Sequence, residues 1–269
     1  DTMLVPAMIG LLLRGSDGLE TDLASLQRLI YGASPMPGPR IAELMQRLPK
    51  VRLTQGYGLS ETAPLLTMLS HANHVAAVSG EAPQWLSSCG QPLAGIELRI
   101  VDDDGRELSP LEHGEVQARG PNVFNGYLDD ENATLSAFDG EWFRTGDVGY
   151  LDESGHLYVV ERKTNVIKRG GEKILPAEVE TVINEHPAVL ECAVIAVPGR
   201  AHEVVIVAVL VTRDNLLVTS GEIRAHCQGR IASYKIPRRV VCVDELPRNS
   251  VGKVTRFVLS DRYGASREA

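Results

Sequence analysis

Residues 29–53, LIYGASPMPGPRIAELMQRLPKVRL, hold the pattern on which the fold turns. Between the apolar segments Leu29-Ile30-Tyr31 and Val51-Arg52-Leu53, Ile41, Leu44, Met45 and Leu48 recur at i, i+3, i+4 and i+7. That spacing puts four apolar side chains on one face of a helix over residues 37–48, so the whole stretch reads as β-α-β. Beyond Gly95 the period shortens. Residues 96–101, 114–118, 149–151 and 157–160 are brief alternating segments, separated by turn residues such as Asp103-Asp104-Gly105 and Asp152-Glu153-Ser154-Gly155. They predict an antiparallel sheet or small barrel. After Arg162 the signals mix again: Pro176 opens a helix through Ile183, residues 189–197 and 204–211 are β-branched runs, 220–231 is helical and 240–243 a short strand. The expected fold class is α/β and α+β, with residues 1–161 in a large domain and 162–269 in a small α+β domain of about a hundred residues.

The composition is that of a folded globular chain: 269 residues, 43% hydrophobic and 23% charged, with a net charge of −8. Disorder, collagen and coiled coil are excluded. The longest strictly apolar run, residues 204–211, is far short of the roughly 18 to 20 residues that span a bilayer. Asp1-Thr2-Met3-Leu4 carries no basic segment ahead of its apolar stretch and does not read as a secretion signal. A cytoplasmic location is expected, with peripheral membrane contact compatible. Cys89, Cys192, Cys227 and Cys242 are irregularly spaced and read as reduced thiols filling apolar space. Charge is uneven. Residues 1–161 hold 10 basic and 23 acidic side chains, and residues 162–269 hold 17 and 12, so a basic C-terminal part follows an acidic body. That suits either an anionic ligand or a merely solvated basic face. Nucleic-acid binding is not expected, because the basic residues are not interleaved with aromatics and the total charge is negative.

Four segments bear chemistry. Gln55-Gly56-Tyr57-Gly58-Leu59-Ser60-Glu61-Thr62 joins an aromatic stacking face, two glycines, two further hydroxyls and a carboxylate able to hold Mg²⁺. A plain strand-to-loop turn, with Ser60 and Thr62 bonded to local backbone, explains it equally well. In Glu141-Trp142-Phe143-Arg144-Thr145-Gly146-Asp147-Val148-Gly149-Tyr150, Asp147 could accept from both hydroxyls of a ribose, or could bond its own turn. Arg162-Lys163-Thr164-Asn165-Val166-Ile167-Lys168-Arg169-Gly170-Gly171-Glu172-Lys173 is basic and Gly-containing, suiting a loop that meets a ligand or a flexible linker. Lastly, in Pro247-Arg248-Asn249-Ser250-Val251-Gly252-Lys253-Val254-Thr255-Arg256, Lys253 is a mobile point charge that could neutralise a developing negative group.

In this order and spacing the four segments resemble the adenylate-forming superfamily, which includes acyl-CoA synthetases, aryl-CoA ligases, firefly luciferase and peptide-synthetase adenylation domains. The resemblance runs from Thr2-Met3-Leu4-Val5-Pro6 to the lysine loop. It implies an enzyme that joins a carboxylic acid to ATP as an acyl-adenylate and passes the acyl group to coenzyme A, with Mg²⁺. On that pattern Tyr57 would stack on adenine beside Gly58, Ser60 would bond the α-phosphate and Glu61 would hold the metal. Ser60 stands where the family more often has Thr. Gly32-Ala33-Ser34-Pro35 resembles the loop along adenine and the acyl pocket, which Pro64 and Leu65 would help to line. Asp147 would take the ribose hydroxyls, with Arg162 assisting, and Lys253 would reach the carboxylate and α-phosphate oxygens. Family members rotate the small domain between half-reactions about a residue two past the junction arginine. Here that residue is Thr164 in place of Asp or Lys, and Lys168, Gly170, Gly171 and Glu172 would line the pantetheine tunnel.

The family's phosphate-binding loop, a Ser/Thr/Gly-rich stretch ending in Pro-Lys-Gly, does not occur in the sequence, so a fragment inactive alone is expected. The apolar Pro64, Leu65 and Leu66 favour a fatty acid over an aryl acid. Two other readings are an adenylation domain loading a carrier protein and a non-catalytic fragment that binds nucleotide or coenzyme A.

Overall fold

The computed structural model describes residues 1–14, 23–199, 203–213, 216–249 and 252–264. The chain divides into two compact units, Asp1–Val159 and Val160–Ala269.

In the first unit one sheet runs in the order β1 (Thr2–Leu4), β2 (Arg28–Gly32), β3 (Arg52–Tyr57), β4 (Thr67–Leu69) and β5 (Gln91–Pro92). The first three strands are parallel, whereas β4 and β5 join antiparallel. Helix α1 (Pro6–Arg14) follows β1, and α2 (Gly38–Arg47) crosses from β2 to β3. The apolar stripe read from spacing is the buried face of α2: Ile41 and Leu44 are fully buried, and they cluster with Ile9 and Leu13 of α1, Leu29 and Tyr31 of β2, and Leu53 of β3. Burying each of these aliphatic side chains contributes roughly 1.5–3 kcal/mol, far more than the propensity of so short a helix. Pro39 sits in the first turn of α2, where a missing N–H is harmless. Helix α3 (His71–Val78), capped by Ser70, follows β4.

The antiparallel segments form a second sheet, from β6 (Glu97–Val101), β7 (Gly114–Arg119), β8 (Phe138–Asp139), β9 (Trp142–Leu151) and β10 (Leu157–Arg162), with path β10-β9-β7-β6 and β8 beside β9. The short helix α4 (Glu131–Ala137) precedes β8. Residues 142–151 are one ten-residue strand, where the sequence pattern predicted strand only from Gly149. The inward residues of β9 include Phe143, Thr145 and Asp147, and two polar residues in that row conceal the alternation. Leu157 N donates to Gly90 O (2.8 Å) and Cys89 N to Leu157 O (2.7 Å), tying β10 to the segment that enters β5.

In the second unit β11 (Ile167–Arg169) and β12 (Glu172–Ile174) make a hairpin whose turn, Gly170-Gly171, has φ of 57° and 86°. Helix α5 (Pro176–Asn184) leads into β13 (Val189–Pro198), antiparallel to β14 (Val204–Thr212), which pairs in parallel with β15 (Arg239–Cys242). Both faces of this sheet are covered. Ile206, Ala208 and Leu210 pack with Val179 and Ile183 of α5 and with Ile223 and Cys227 of α6 (Ser220–Cys227). Val207 and Val209 pack with Leu246 and with Leu259 of α7 (Arg256–Gly264). A strand buried on both faces reads as an unbroken apolar run, which is why residues 204–211 show no alternation. The helix expected over 220–231 ends at Cys227, because Gly229 turns left-handed (φ 79°) and Ile231 N returns to Cys227 O at 3.2 Å.

The four cysteines are free; Cys192 and Cys227 are buried and Cys89 is half-buried, but Cys242 is exposed and fills no core. Among the described residues no helix is long and apolar enough to cross a membrane.

Candidate active site

The carboxyl ends of parallel strands β2 and β3 lie side by side, with Gly32 in register with Gly56. The two loops that leave them are Ala33-Ser34-Pro35 and Gly58-Leu59-Ser60-Glu61, so the topology alone brings both expected loops to one edge of the sheet. The glycines are required by the chain's own backbone: a Cβ on Gly32 would strike the Gly56 carbonyl, and one on Gly58 would strike the Pro64 carbonyl. Ala33 is exposed with φ 68°, a left-handed conformation costing roughly 1–2 kcal/mol in a residue with a Cβ.

Tyr57, the last residue of β3, donates its Oη hydrogen to Asp147 Oδ2 at 2.6 Å, joining positions ninety residues apart. Asp147 is 4% exposed and belongs to the inward row of β9. Its N–H donates to Thr145 Oγ1 (3.1 Å), which in turn donates to Val116 O (2.7 Å), and this fixes the strand behind it. Burial, and after it the Asp147 charge, pushes the Tyr57 phenol far above its ordinary range, so it stays a donor at any physiological pH. The nearby Cys89 thiol is pushed up to about 11, chiefly by burial, and is therefore a poor nucleophile.

Ser60, Glu61 and Thr62 form a single 3₁₀ turn. Thr62 is buried and its Oγ1 accepts from Leu59 N (2.9 Å) and donates to Leu59 O (3.0 Å), the local role foreseen for it. Ser60 is exposed and its hydroxyl bonds none of the described residues. Asn122 Nδ2 donates to Thr62 O (2.7 Å) and Leu65 O (2.6 Å), and Phe124 N to Glu61 O (2.8 Å). The Glu61 carboxylate accepts from Tyr127 Oη at 3.0 Å through Oε1. A single oriented carboxylate suits Mg²⁺, which keeps several waters and shares substrate phosphates, and among the described residues no cluster of three acidic, His or Cys ligands competes with it. Pro64 is exposed and Leu65 half-buried against Gly56, whereas Leu66 is fully buried in a core cluster with Ile96 and Ala118.

Beneath this edge lies a buried polar chain. His74 Nδ1 bonds Ser70 O (2.7 Å), which assigns its hydrogen to Nδ1 and leaves Nε2 to accept from Tyr31 Oη at 2.8 Å. Gln55 stands 3.2 Å from the same phenol oxygen, on the strand that carries Tyr57. Desolvation holds the His74 ring below its usual pKa, hence neutral.

The remaining expected residues belong to the second unit. Arg162 ends β10, and Thr164 is exposed in the 3₁₀ turn Lys163–Asn165. Lys168, Gly170, Gly171 and Glu172 form the exposed tip and flanks of the β11–β12 hairpin. Lys253 is exposed on a loop closed by Lys253 N to Asn249 Oδ1 (2.9 Å), Asn249 N to Lys253 O (2.9 Å) and Thr255 N to Pro247 O (2.8 Å). Sequence reading missed Thr145, Asn122 and Tyr127. Thr145 was findable, because it shares a strand face with Asp147 two residues on. Asn122 and Tyr127 reach the turn from 57 to 66 residues away, and no local pattern marks them.

Residues 1–128 match the model of the AMP-binding enzyme family, and residues 178–253 match that of the AMP-binding enzyme C-terminal domain. The indoleacetate–CoA ligase of Aromatoleum aromaticum is 37% identical over 255 residues, which are 95% of this chain and 48% of that protein. The amide bond synthetase McbA of Marinactinospora thermotolerans superposes with a TM-score of 0.83 at 31% identity, covering 97% of this chain and 51% of that one. The o-succinylbenzoate CoA synthetase of Bacillus subtilis, solved with ATP and a magnesium ion, gives a TM-score of 0.75 at 34% identity, covering 95% and 50%. The chain thus spans about half the length of the curated relatives it matches.

Proposed function

Because this chain belongs to the adenylate-forming AMP-binding enzymes, with both regions of that family in order along it, we propose that it serves the ATP-dependent joining of a carboxylic acid to coenzyme A. The observation that carries the reading is the Tyr57–Asp147 pair beside the Ser60–Glu61 turn, at the carboxyl edge of a parallel sheet. A carboxylate oxygen of the acid attacks the α-phosphorus of ATP and pyrophosphate leaves. The thiol then attacks the acyl carbon, and AMP leaves with that oxygen. In this scheme the Tyr57 ring offers adenine a face while its hydroxyl pins Asp147, whose carboxylate meets the ribose. Ser60 donates to the α-phosphate. Glu61, oriented by Tyr127, would hold Mg²⁺, which would supply charge neutralisation on the phosphates. Lys253 delivers a mobile positive charge to the oxygens on which charge builds.

For the acid we infer an aromatic one. Relatives are named for indoleacetate and 2-succinylbenzoate, and the argument for a fatty acid loses Leu66, which is core. For the acceptor, a depression of about 750 Å³ in the second unit is lined by Arg169, Arg224 and Arg238; Glu203 pairs with Arg169 (3.2 Å) and Arg238 (2.6 Å), and the surplus of guanidinium charge suits the phosphates of coenzyme A. The likeness to an amide bond synthetase favours, as second reading, an amine in place of the thiol.

Pyrophosphate release with ATP, Mg²⁺ and a panel of aryl and fatty acids, run on this chain and on the protein encoded by the full gene, tests the proposal. Release by the full-length protein with an aryl acid is expected. Release with no acid would defeat the reading, and adding coenzyme A or amines to the released mixture separates the two acceptors.

A further inference from the structure

Inside the second unit a buried ionic cluster joins two loops that the reaction scheme treats separately. Arg256, the first residue of α7 and three past Lys253, donates from Nη2 to both carboxylate oxygens of Glu180 in α5 (2.8 and 2.9 Å). The same nitrogen lies 3.5 Å from Glu161 Oε2. Side-chain exposures of 20%, 13% and 6% for Arg256, Glu180 and Glu161 put this cluster largely out of water. Each carboxylate has a second attachment. Glu180 Oε1 accepts from Val194 N (2.7 Å), which fastens it to the central sheet. Glu161 Oε1 accepts from Arg162 N and from Asn165 Nδ2, both at 2.8 Å, and so holds the two ends of the turn that contains Thr164. The Arg256 guanidinium therefore stands between two carboxylates, one fixed to the sheet and one fixed to the turn. Among the described residues Arg256 is the cation paired with both carboxylates, and an uncompensated buried charge is costly.

We propose that Arg256 is a positioning residue that ties the Lys253 loop to the Thr164 turn through Glu161, so that a change of backbone at the turn is felt at the lysine. This rests on the reading of Lys253 as the adenylation lysine and of Thr164 as the pivot. Any movement of φ or ψ at Thr164 displaces Asn165 relative to Arg162, and both bond one oxygen of Glu161. That carboxylate must then shift against Arg256, whose backbone continues directly into Thr255, Val254 and Lys253. The same loop is braced from its other strand by Arg248, which pairs with Glu191 and donates to Gly252 O at 2.8 Å.

The test is hydrogen exchange on this chain, comparing wild type with Glu161→Gln and with Asn165→Ala. Both variants act on the turn side and leave the Arg256–Glu180 pair intact. Glu161→Gln keeps the shape and an oxygen for Arg162 N, and Asn165→Ala removes no buried charge, so folding is retained by at least one. Exchange at the amides of Gly252, Lys253 and Thr255 is expected to quicken at least about fivefold, while Val207 and Val209 in the central strand change by less than about twofold. Unchanged loop amides in both variants, or equal acceleration of loop and strand, would overturn the coupling. In the full-length protein Glu161→Gln should lower acid-dependent pyrophosphate exchange about tenfold, and change thioester formation from supplied acyl-adenylate by less than about twofold. A Lys253→Ala variant that kept full pyrophosphate exchange would instead sink the functional reading, and the amide-exchange result would stand apart from it.

Discussion

At Tyr57 the ring and the hydroxyl face different tasks. Replacing it by Phe keeps an aromatic face and removes the hydroxyl that donates to Asp147 Oδ2 at 2.6 Å, so the variant separates the two tasks. Loss of a hydrogen bond to a buried carboxylate should cost about 1–3 kcal/mol, read as a lower urea midpoint with the Trp85 and Trp142 signals, both in the first unit. An unchanged midpoint would mean the contact contributes nothing. His74 gives a pH dependence of definite sign. Its ring is neutral in the fold because burial lowers its pKa, while the unfolded chain takes up a proton near the ordinary value of about 6.5. The unfolded state binds more protons between those values, so stability is complete above about 6.5 and falls as pH falls through that window. His156, also lowered by burial, acts in the same direction. Urea midpoints at pH 7.5 and 5.5 check this, and a midpoint that rises on acidification contradicts it. Tyr57, Ser60, Glu61 and Asp147 stood out as candidates because each sits in a short segment dense in distinctive residue types. The hydroxyl bond from Tyr57 to Asp147 was not, since it spans two sheets and nothing in either segment names the other.

Elements divide along the same physical line. Helix α2 was readable because one face packs and the other is wet, which prints a 3.6-residue period. Strand β9 was not, because its inward row carries the polar Thr145 and Asp147 beside Phe143 and so does not read as apolar. The turn after β3 is the element most sensitive to a single atom. Gly58→Ala places a Cβ against the Pro64 carbonyl and 2.8 Å from Leu65 Cα, so the loop must shift. A loss of roughly 1–3 kcal/mol is expected by analogy with overpacked cores, together with weaker AMP binding in the full-length protein. Calorimetric titration and urea melts measure both, and wild-type values would show that the loop yields freely. The glycines looked suited to a ligand. Their first duty is to let two stretches of backbone pass.

On the scale of the whole molecule, the two units have separate cores and opposite charge balance, −12 for residues 1–159 and +4 for residues 160–269. Ile206→Ala, at a fully buried site of the second unit, should cost about 2–5 kcal/mol and lower the circular-dichroism midpoint more than the tryptophan midpoint. Equal shifts in both signals would mean the units unfold as one. The change of sign in charge was visible in the sequence, but only the structure places Arg169, Arg224 and Arg238 around one depression. The central claim is that an acid oxygen passes to the α-phosphorus of ATP. It is tested most directly by supplying the full-length protein with an aryl acid labelled with ¹⁸O in its carboxylate, ATP, Mg²⁺ and coenzyme A, and weighing the nucleotide product. The account predicts AMP carrying one ¹⁸O; unlabelled AMP, or ADP in its place, would contradict it.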